Sequence, residues 1–132
     1  MFTDKLLERE LSHSAIGAFY EVYNALGFGF LESVYANALE RELIARGHVV
    51  AREFAVRVLY KNDEVGFHRA DMLVDERLVI EIKSSAVLAP SAQRQLLNYL
   101  RATNLDVGLL LHFGPEARFY RQISSRARID SR

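Results

Sequence analysis

Apolar residues change their spacing along this chain, and each change predicts a new kind of element. Leu7, Leu11, Ala15, Phe19, Val22 and Leu26 recur at steps of three and four, the period of an amphipathic helix. Thr3 is its expected N-cap and Gly27 its expected stop, with Ser12-His13-Ser14 as a polar run that would bend or interrupt it. A second helix is expected just after Gly29, through Leu31, Val34, Tyr35, Ala38 and Leu43, closing at Gly47. From His48 the period drops to two. Val56, Val58 and Tyr60 alternate, Lys61-Asn62-Asp63 makes a turn, and the strands run on to Lys83. Pro90 and Ser91 open a third helix through Gln95, Leu96, Tyr99 and Leu100, ending near Thr103-Asn104. Val107 to Phe113 is continuously apolar, which suits a strand buried on both faces, and Gly114-Pro115 turns into a last strand from about Ala117 to Ile123. The order α-α-β-β-β-α-β-β predicts an α/β fold, a mixed sheet flanked by helices.

Within that frame the charged residues of two neighbouring strands stand out. Asp71 follows Arg69-Ala70, while Glu81 and Lys83 flank Ile82, all among Met72, Leu73, Val74, Leu78, Val79 and Ile80. If Asp75-Glu76-Arg77 is the hairpin loop, Val74 faces Leu78, Leu73 faces Val79, and Asp71 lies opposite Glu81. Like charges opposed in that way repel unless a cation sits between them. A two-residue loop would send the carboxylates to opposite faces, so a metal site requires an odd loop, although no glycine is present to ease one. Two carboxylates and a lysine are what a Mg²⁺-dependent phosphodiester hydrolase needs. The plainer reading is a half-solvated strand that alternates apolar and charged residues as a matter of course.

Composition narrows the setting. With 132 residues, half of them hydrophobic, the chain is expected to form a single domain over residues 1–132. The 17 Lys and Arg balance 17 Asp and Glu, so any contact with DNA or RNA must come from local patches rather than a global field. Arg69, Arg94 and Arg101 are candidates. So is a basic tail carrying Arg121, Arg126, Arg128 and Arg132, whose plainer reading is a flexible solvated end. The absence of cysteine excludes disulfides, thiolate zinc sites and a cysteine nucleophile. The charged amino terminus and the lack of a spanning apolar run lead to the expectation of a cytoplasmic protein that does not enter membranes. His68 and His112 flank the expected strands, where they could lie near such a metal site, and their plainer reading is that of structural histidines.

These residues carry a resemblance. Gly29-Phe30-Leu31-Glu32-Ser33-Val34-Tyr35 resembles the signature of the GxxExxY protein family, which is assigned to the PD-(D/E)XK nuclease superfamily. The resemblance continues through Arg69-Ala70-Asp71, Glu81-Ile82-Lys83, Gln95-Leu96-Leu97-Asn98-Tyr99 and Gly108-Leu109-Leu110. It implies a restriction-endonuclease-like core and a metal-dependent nuclease acting on DNA or RNA. It further implies that Asp71, Glu81 and the backbone carbonyl of Ile82 hold Mg²⁺ or Mn²⁺ while Lys83 positions the attacking water. Gln95 and Tyr99 are similar to the Q-x-x-x-Y motif of RecB-like members, which implies contact with the scissile phosphate or support of the lysine. Spacing alone leaves Tyr99 equally readable as a core aromatic. Glu32 reads from local sequence as a helix-capping glutamate, and from the family motif as a residue of the metal site. Ala70 stands where the superfamily has its proline, and Tyr23 where related sequences often have histidine. Two other readings stay open: a nuclease-fold nucleic-acid-binding or partner-binding module with little catalysis, and a structural protein whose carboxylates neutralise arginines. A neutral domain of this size is also expected to gain affinity from a second copy or a protein partner.

Overall fold

The computed structural model describes residues 2–124, with side chains from Glu8 onward. Helices α1 (Phe2–Leu26) and α2 (Glu32–Ala45) precede strands β1 (Val50–Tyr60), β2 (Asp63–Val74) and β3 (Leu78–Ser84). Helix α3 (Ala92–Arg101) then crosses to β4 (Val107–Phe113), and β5 (Ala117–Ile123) follows. The strands lie in one sheet in sequence order, antiparallel throughout except for the parallel β3–β4 pair that the α3 crossover joins. This is the expected element order.

Two cores sandwich the sheet. Leu11, Ala15, Phe19 and Val22 of α1 and Tyr35, Leu39 and Leu43 of α2 pack on Met72, Val74, Ile80, Ile82, Leu109 and Leu111. On the opposite face Ala92, Leu96 and Leu100 of α3 meet Val56, Ala70, Val79 and Leu110. Every residue of β4 is buried, which accounts for its unbroken apolar run.

Several local expectations are corrected. Helix α1 already includes Phe2, so Thr3 lies inside its first turn instead of capping it. The Ser12-His13-Ser14 run leaves the helix unbroken, because tertiary partners take two of its hydroxyls: Arg121 Nε donates to Ser12 Oγ at 3.3 Å, and Ser14 Oγ lies 2.7 Å from His48 Nε2. Arg121 is therefore a half-buried β5 residue and not part of a tail. Burial pulls its guanidinium pKa down, helped by Arg9. Arg126, Arg128 and Arg132 lie outside the described residues. Tyr23 ties α1 to the β4–β5 turn by donating to the carbonyls of Gly114 and Pro115, at 2.8 and 3.0 Å.

The three-residue β2–β3 loop forms without glycine. Asp75 and Glu76 both take positive φ, 52° and 59°, a conformation that Asp tolerates when its side chain bonds locally. Asp75 Oδ1 accepts the Val49 N–H at 2.8 Å, Oδ2 lies 2.7 Å from His48 Nδ1, and the Asp75 N–H donates to the Val49 carbonyl at 2.8 Å. The resulting register sets Val74 opposite Leu78, Leu73 opposite Val79 and Met72 opposite Ile80.

Beyond Met72 and Ile80 the β2–β3 ladder stops, while β1 and β2 continue together as a two-stranded arm to the Lys61-Asn62 turn. At its base the alternation slips: Ala70 and Leu73 both face α3, whereas Met72 faces α1 and α2. Opposite the slip, Glu53 has φ of 53°. The slip turns His68 and Ala70 of the arm toward α3.

Candidate active site

The carboxylates of Asp71 and Glu81 meet in the fork where β2 leaves β3. The Ile82 N–H donates to Asp71 Oδ2 at 2.6 Å, and the Asp71 N–H donates to Glu81 Oε1 at 3.3 Å. Beyond the last ladder pair, each carboxylate thus accepts a backbone N–H of the other strand. The reciprocal bonds fix both side chains at the strand fork.

Glu81 is buried, with 6% relative exposure. Its second oxygen, Oε2, lies 2.5 Å from His68 Nε2, and the His68 ring stacks on Tyr99 of α3 with centroids 4.0 Å apart and planes 6° from parallel. Burial pushes the Glu81 carboxyl pKa up, the His68 hydrogen bond opposes that, and the charge of Asp71 adds to it. A cation at this place would relieve both the burial penalty and the repulsion. Among the described residues no three His, Cys, Asp or Glu side chains are grouped to hold an ion. Two carboxylates with a nearby backbone carbonyl nevertheless suit Mg²⁺, which keeps several waters and needs only one or two protein carboxylates. The donor set therefore fits a hard divalent cation.

Lys83 shares a strand face with Glu81 and is partly buried. Its ammonium has no hydrogen bond or ion pair among the described residues. Glu32 opens α2 directly after the Leu31 N-cap, which has no side-chain cap bond. The Glu32 carboxylate instead reaches across to β3, where the Ser84 N–H donates to Oε2 at 3.4 Å. Gly29, with φ of 114°, and Tyr35 explain that placement. The Tyr35 ring is fully buried and stacks on Phe113 at 4.0 Å; its hydroxyl donates to the Gly27 carbonyl and accepts the Phe30 N–H. Ser84 Oγ donates to the Phe30 carbonyl at 2.5 Å. The loop from Phe28 to Glu32 is thereby pinned to the end of β3, and together with Ser84 and Ser85 it lines an open pocket of 480 Å³.

The structure thus brings Asp71, Glu81 and the Ile82 backbone together, with Tyr99 joined through His68 and Glu32 at the end of the same strand. Gln95 is exposed, four residues before Tyr99 on α3, and its side chain makes no hydrogen bond among the described residues. His112 is structural: its Nε2 lies 2.8 Å from the Ser85 carbonyl, which can only accept. His68, expected near the site as a structural histidine, lies against Glu81 itself. Three positions before Asp71, it faces Glu81 only because the alternation slips between them.

A family model described as the PD-(D/E)XK nuclease superfamily matches residues 9–124. The chain belongs to that superfamily. Its sheet and helices form the restriction-endonuclease-like α/β fold. A solved structure of the protein SSO0001 superposes with a TM-score of 0.54 at 22% identity, covering 74% of this chain and 52% of that one. An alkaline exonuclease from Laribacter hongkongensis superposes with a TM-score of 0.52 at 14% identity, covering 75% of this chain and 59% of the other. The match spans little more than half the length of each of these proteins, and at such identity the likeness is one of fold. No curated protein sequence matches the chain. Among the described residues no helix is long and apolar enough to cross a membrane.

Proposed function

We propose that this protein is a metal-dependent nuclease of the GxxExxY type that hydrolyses phosphodiester bonds of DNA or RNA. The observation that carries the reading is the reciprocal hydrogen bonding of Asp71 and Glu81 at the fork, with Lys83 two residues beyond Glu81 on β3, its ammonium without a partner among the described residues. Asp71, Glu81 and the Ile82 carbonyl would hold Mg²⁺ or Mn²⁺. When bound, such an ion polarises a phosphate oxygen and makes water more acidic.

The remaining work falls to side chains of this chain. Lys83 orients the attacking water and favours the anionic transition state. His68 holds the Glu81 carboxylate, and Tyr99 holds His68 by stacking. Gln95, with its amide free in solvent, takes non-bridging phosphate oxygens, and Glu32 borders the pocket where the substrate strand passes. All 132 residues are read as one nuclease-like domain acting in the cytoplasm, alone or with a second copy or protein partner.

A binding module without catalysis is the second reading, favoured by one observation: His68 already occupies an oxygen of Glu81. Thermal unfolding of wild type and Asp71→Ala in Mg²⁺, Mn²⁺ or EDTA tests the proposal, because an ion that binds only the folded state raises its stability. The expected result is a metal-dependent rise in Tm in wild type alone, followed by metal-dependent cleavage in a screen of DNA and RNA substrates. Equal curves would overturn the metal site, and a rise without cleavage of any substrate would favour the binding module.

A further inference from the structure

The arm formed by β1 and β2 exposes a surface that burial does not explain. Phe67 is 47% exposed, yet two guanidiniums stand beside its ring, Arg57 Cζ at 5.6 Å and Arg69 Cζ at 5.7 Å from the centroid. Arg57 pairs directly with Phe67 across the strands, and Ala55 with Arg69, so ring and cations share one face. That face points away from α3, since Phe54, Val56 and Ala70 belong to the core beneath it. At the tip Tyr60 is 62% exposed with Lys61 Nζ 5.4 Å from its ring.

An exposed ring beside two exposed arginines offers a π-face to a base once a guanidinium swings off the ring to a phosphate, the combination that sequence-tolerant single-strand binders use. Both arginines are ion-paired, Arg57 with Glu64 at 2.7 Å and Arg69 with Glu53 at 3.4 Å. All four side chains are exposed, and exposed pairs contribute too little to hold the guanidiniums against a phosphate. Duplex binding rests on many phosphate contacts. This face supplies two cations on a chain of zero net charge, so stacking rather than charge has to carry affinity. A base inside a duplex has no free face to give.

We infer that the arm binds single-stranded nucleic acid, an unpaired base stacking on Phe67 while Arg57 and Arg69 take the adjacent phosphates. The inference rests on the nuclease reading for its purpose: it names the substrate of that site as a single strand or a splayed end. Phe67 and His68 are neighbours on β2 and lie on opposite faces of the arm, so a strand stacked on Phe67 reaches the fork around the edge of β2 that β3 leaves unpaired.

Fluorescence anisotropy in EDTA, with a short labelled DNA strand, the RNA of the same sequence and the DNA duplex, tests binding apart from cleavage. Single strands are expected to bind at least about tenfold tighter than duplex. Phe67→Leu, which keeps an apolar side chain but removes the π-face, should weaken them by about five- to hundredfold. Glu64→Gln removes the carboxylate that competes for Arg57 and should tighten binding. Unequal affinity for DNA and RNA identifies which strand is the ligand, and equal affinity means that the shared stacking chemistry decides. Absence of single-strand binding, duplex binding of equal strength, wild-type affinity in Phe67→Leu, or no tightening in Glu64→Gln would each overturn the inference. Tm values near wild type confirm that both surface variants fold. Binding in EDTA with no cleavage in metal would remove the nuclease reading alone, whereas metal-dependent cleavage without single-strand binding would remove this inference alone.

Discussion

A carboxylate as buried as Glu81 costs stability whenever it is charged, and its pKa records that cost. Burial raises it above the ordinary glutamate value, and Asp71 adds to the rise against the opposing bond from His68. The folded state therefore holds this proton more tightly than the unfolded chain, and stability falls as pH climbs from the unfolded pKa through the folded one. Glu81→Gln removes the charge and keeps an oxygen for the Asp71 N–H. In EDTA at about pH 8 this variant is expected to unfold at or above the wild-type temperature, with the advantage shrinking on acidification to about pH 4 and with no response to Mg²⁺. Scanning calorimetry checks all three. His68→Ala should do the reverse. It strands the buried Oε2 without a donor, and a loss of about 1–3 kcal/mol is expected, read from urea midpoints in EDTA. At this scale the sequence was partly legible. Asp71, Glu81 and Lys83 stood out as charges among strand apolars, and the odd loop already aligned the two carboxylates. His68 was expected near the site only as a structural histidine, because its contact with Glu81 depends on a slip in the alternation that nothing local marks: Glu53, opposite it, takes φ of 53° without being glycine.

Elements, in contrast to single residues, followed from periodicity almost throughout, since the shifts from helical spacing to alternation and then to the unbroken run of β4 each reflect a different burial pattern. What failed were the details settled by distant partners. Ser12-His13-Ser14 looked like a break because hydroxyls compete for helical backbone, but Arg121 and His48 take Ser12 and Ser14 instead. The glycine-free β2–β3 loop looked strained until Asp75 was seen bound to Val49 and His48. That loop has a pH signature. Burial pushes the Asp75 carboxyl pKa up, but the Val49 N–H, His48 and Arg77 outweigh it and hold it below the usual aspartate range. The stability it contributes is complete above the unfolded pKa of about 3.9 and is lost as pH falls through the lower folded value. Asp75→Asn keeps the backbone conformation but not the charge, so it should be less stable than wild type at about pH 6 and approach it at about pH 3. Urea midpoints at the two pH values measure the difference. Packing of α3 on β4 is a second element-level test. A Cβ on Gly108 would lie 3.0 Å from Leu96 Cδ1 and 3.2 Å from its Cγ. Gly108→Ala should therefore cost about 1–3 kcal/mol through overpacking, visible as a lower urea midpoint with an unchanged slope.

Across the whole molecule, the sheet supplies rigidity and its fork supplies chemistry. β3 and β4 lie inside the sheet and carry most of its buried strand positions, so the groups at the end of β3 are held by the part of the fold that opens last. Lys83 sits there as a partly buried cation with no partner among the described residues. A lysine kept for stability would be expected to neutralise a carboxylate, yet Asp71 and Glu81 take their bonds from backbone N–H groups and His68. Replacing it by methionine preserves most of the stem and deletes only the charge. If Lys83 serves the reaction, Lys83→Met should unfold within about 0.5 kcal/mol of wild type and keep the metal-dependent rise in Tm, while cleavage falls by about a hundredfold or more, as when a preorganised charge is removed from a transition state. Asp71→Ala should lose both the metal response and cleavage. Thermal unfolding and single-turnover cleavage on the two variants therefore separate the role of the carboxylate from that of the ammonium. If Lys83→Met cut at the wild-type rate, the ammonium would be a spectator and the transition-state charge would fall to other groups at the fork.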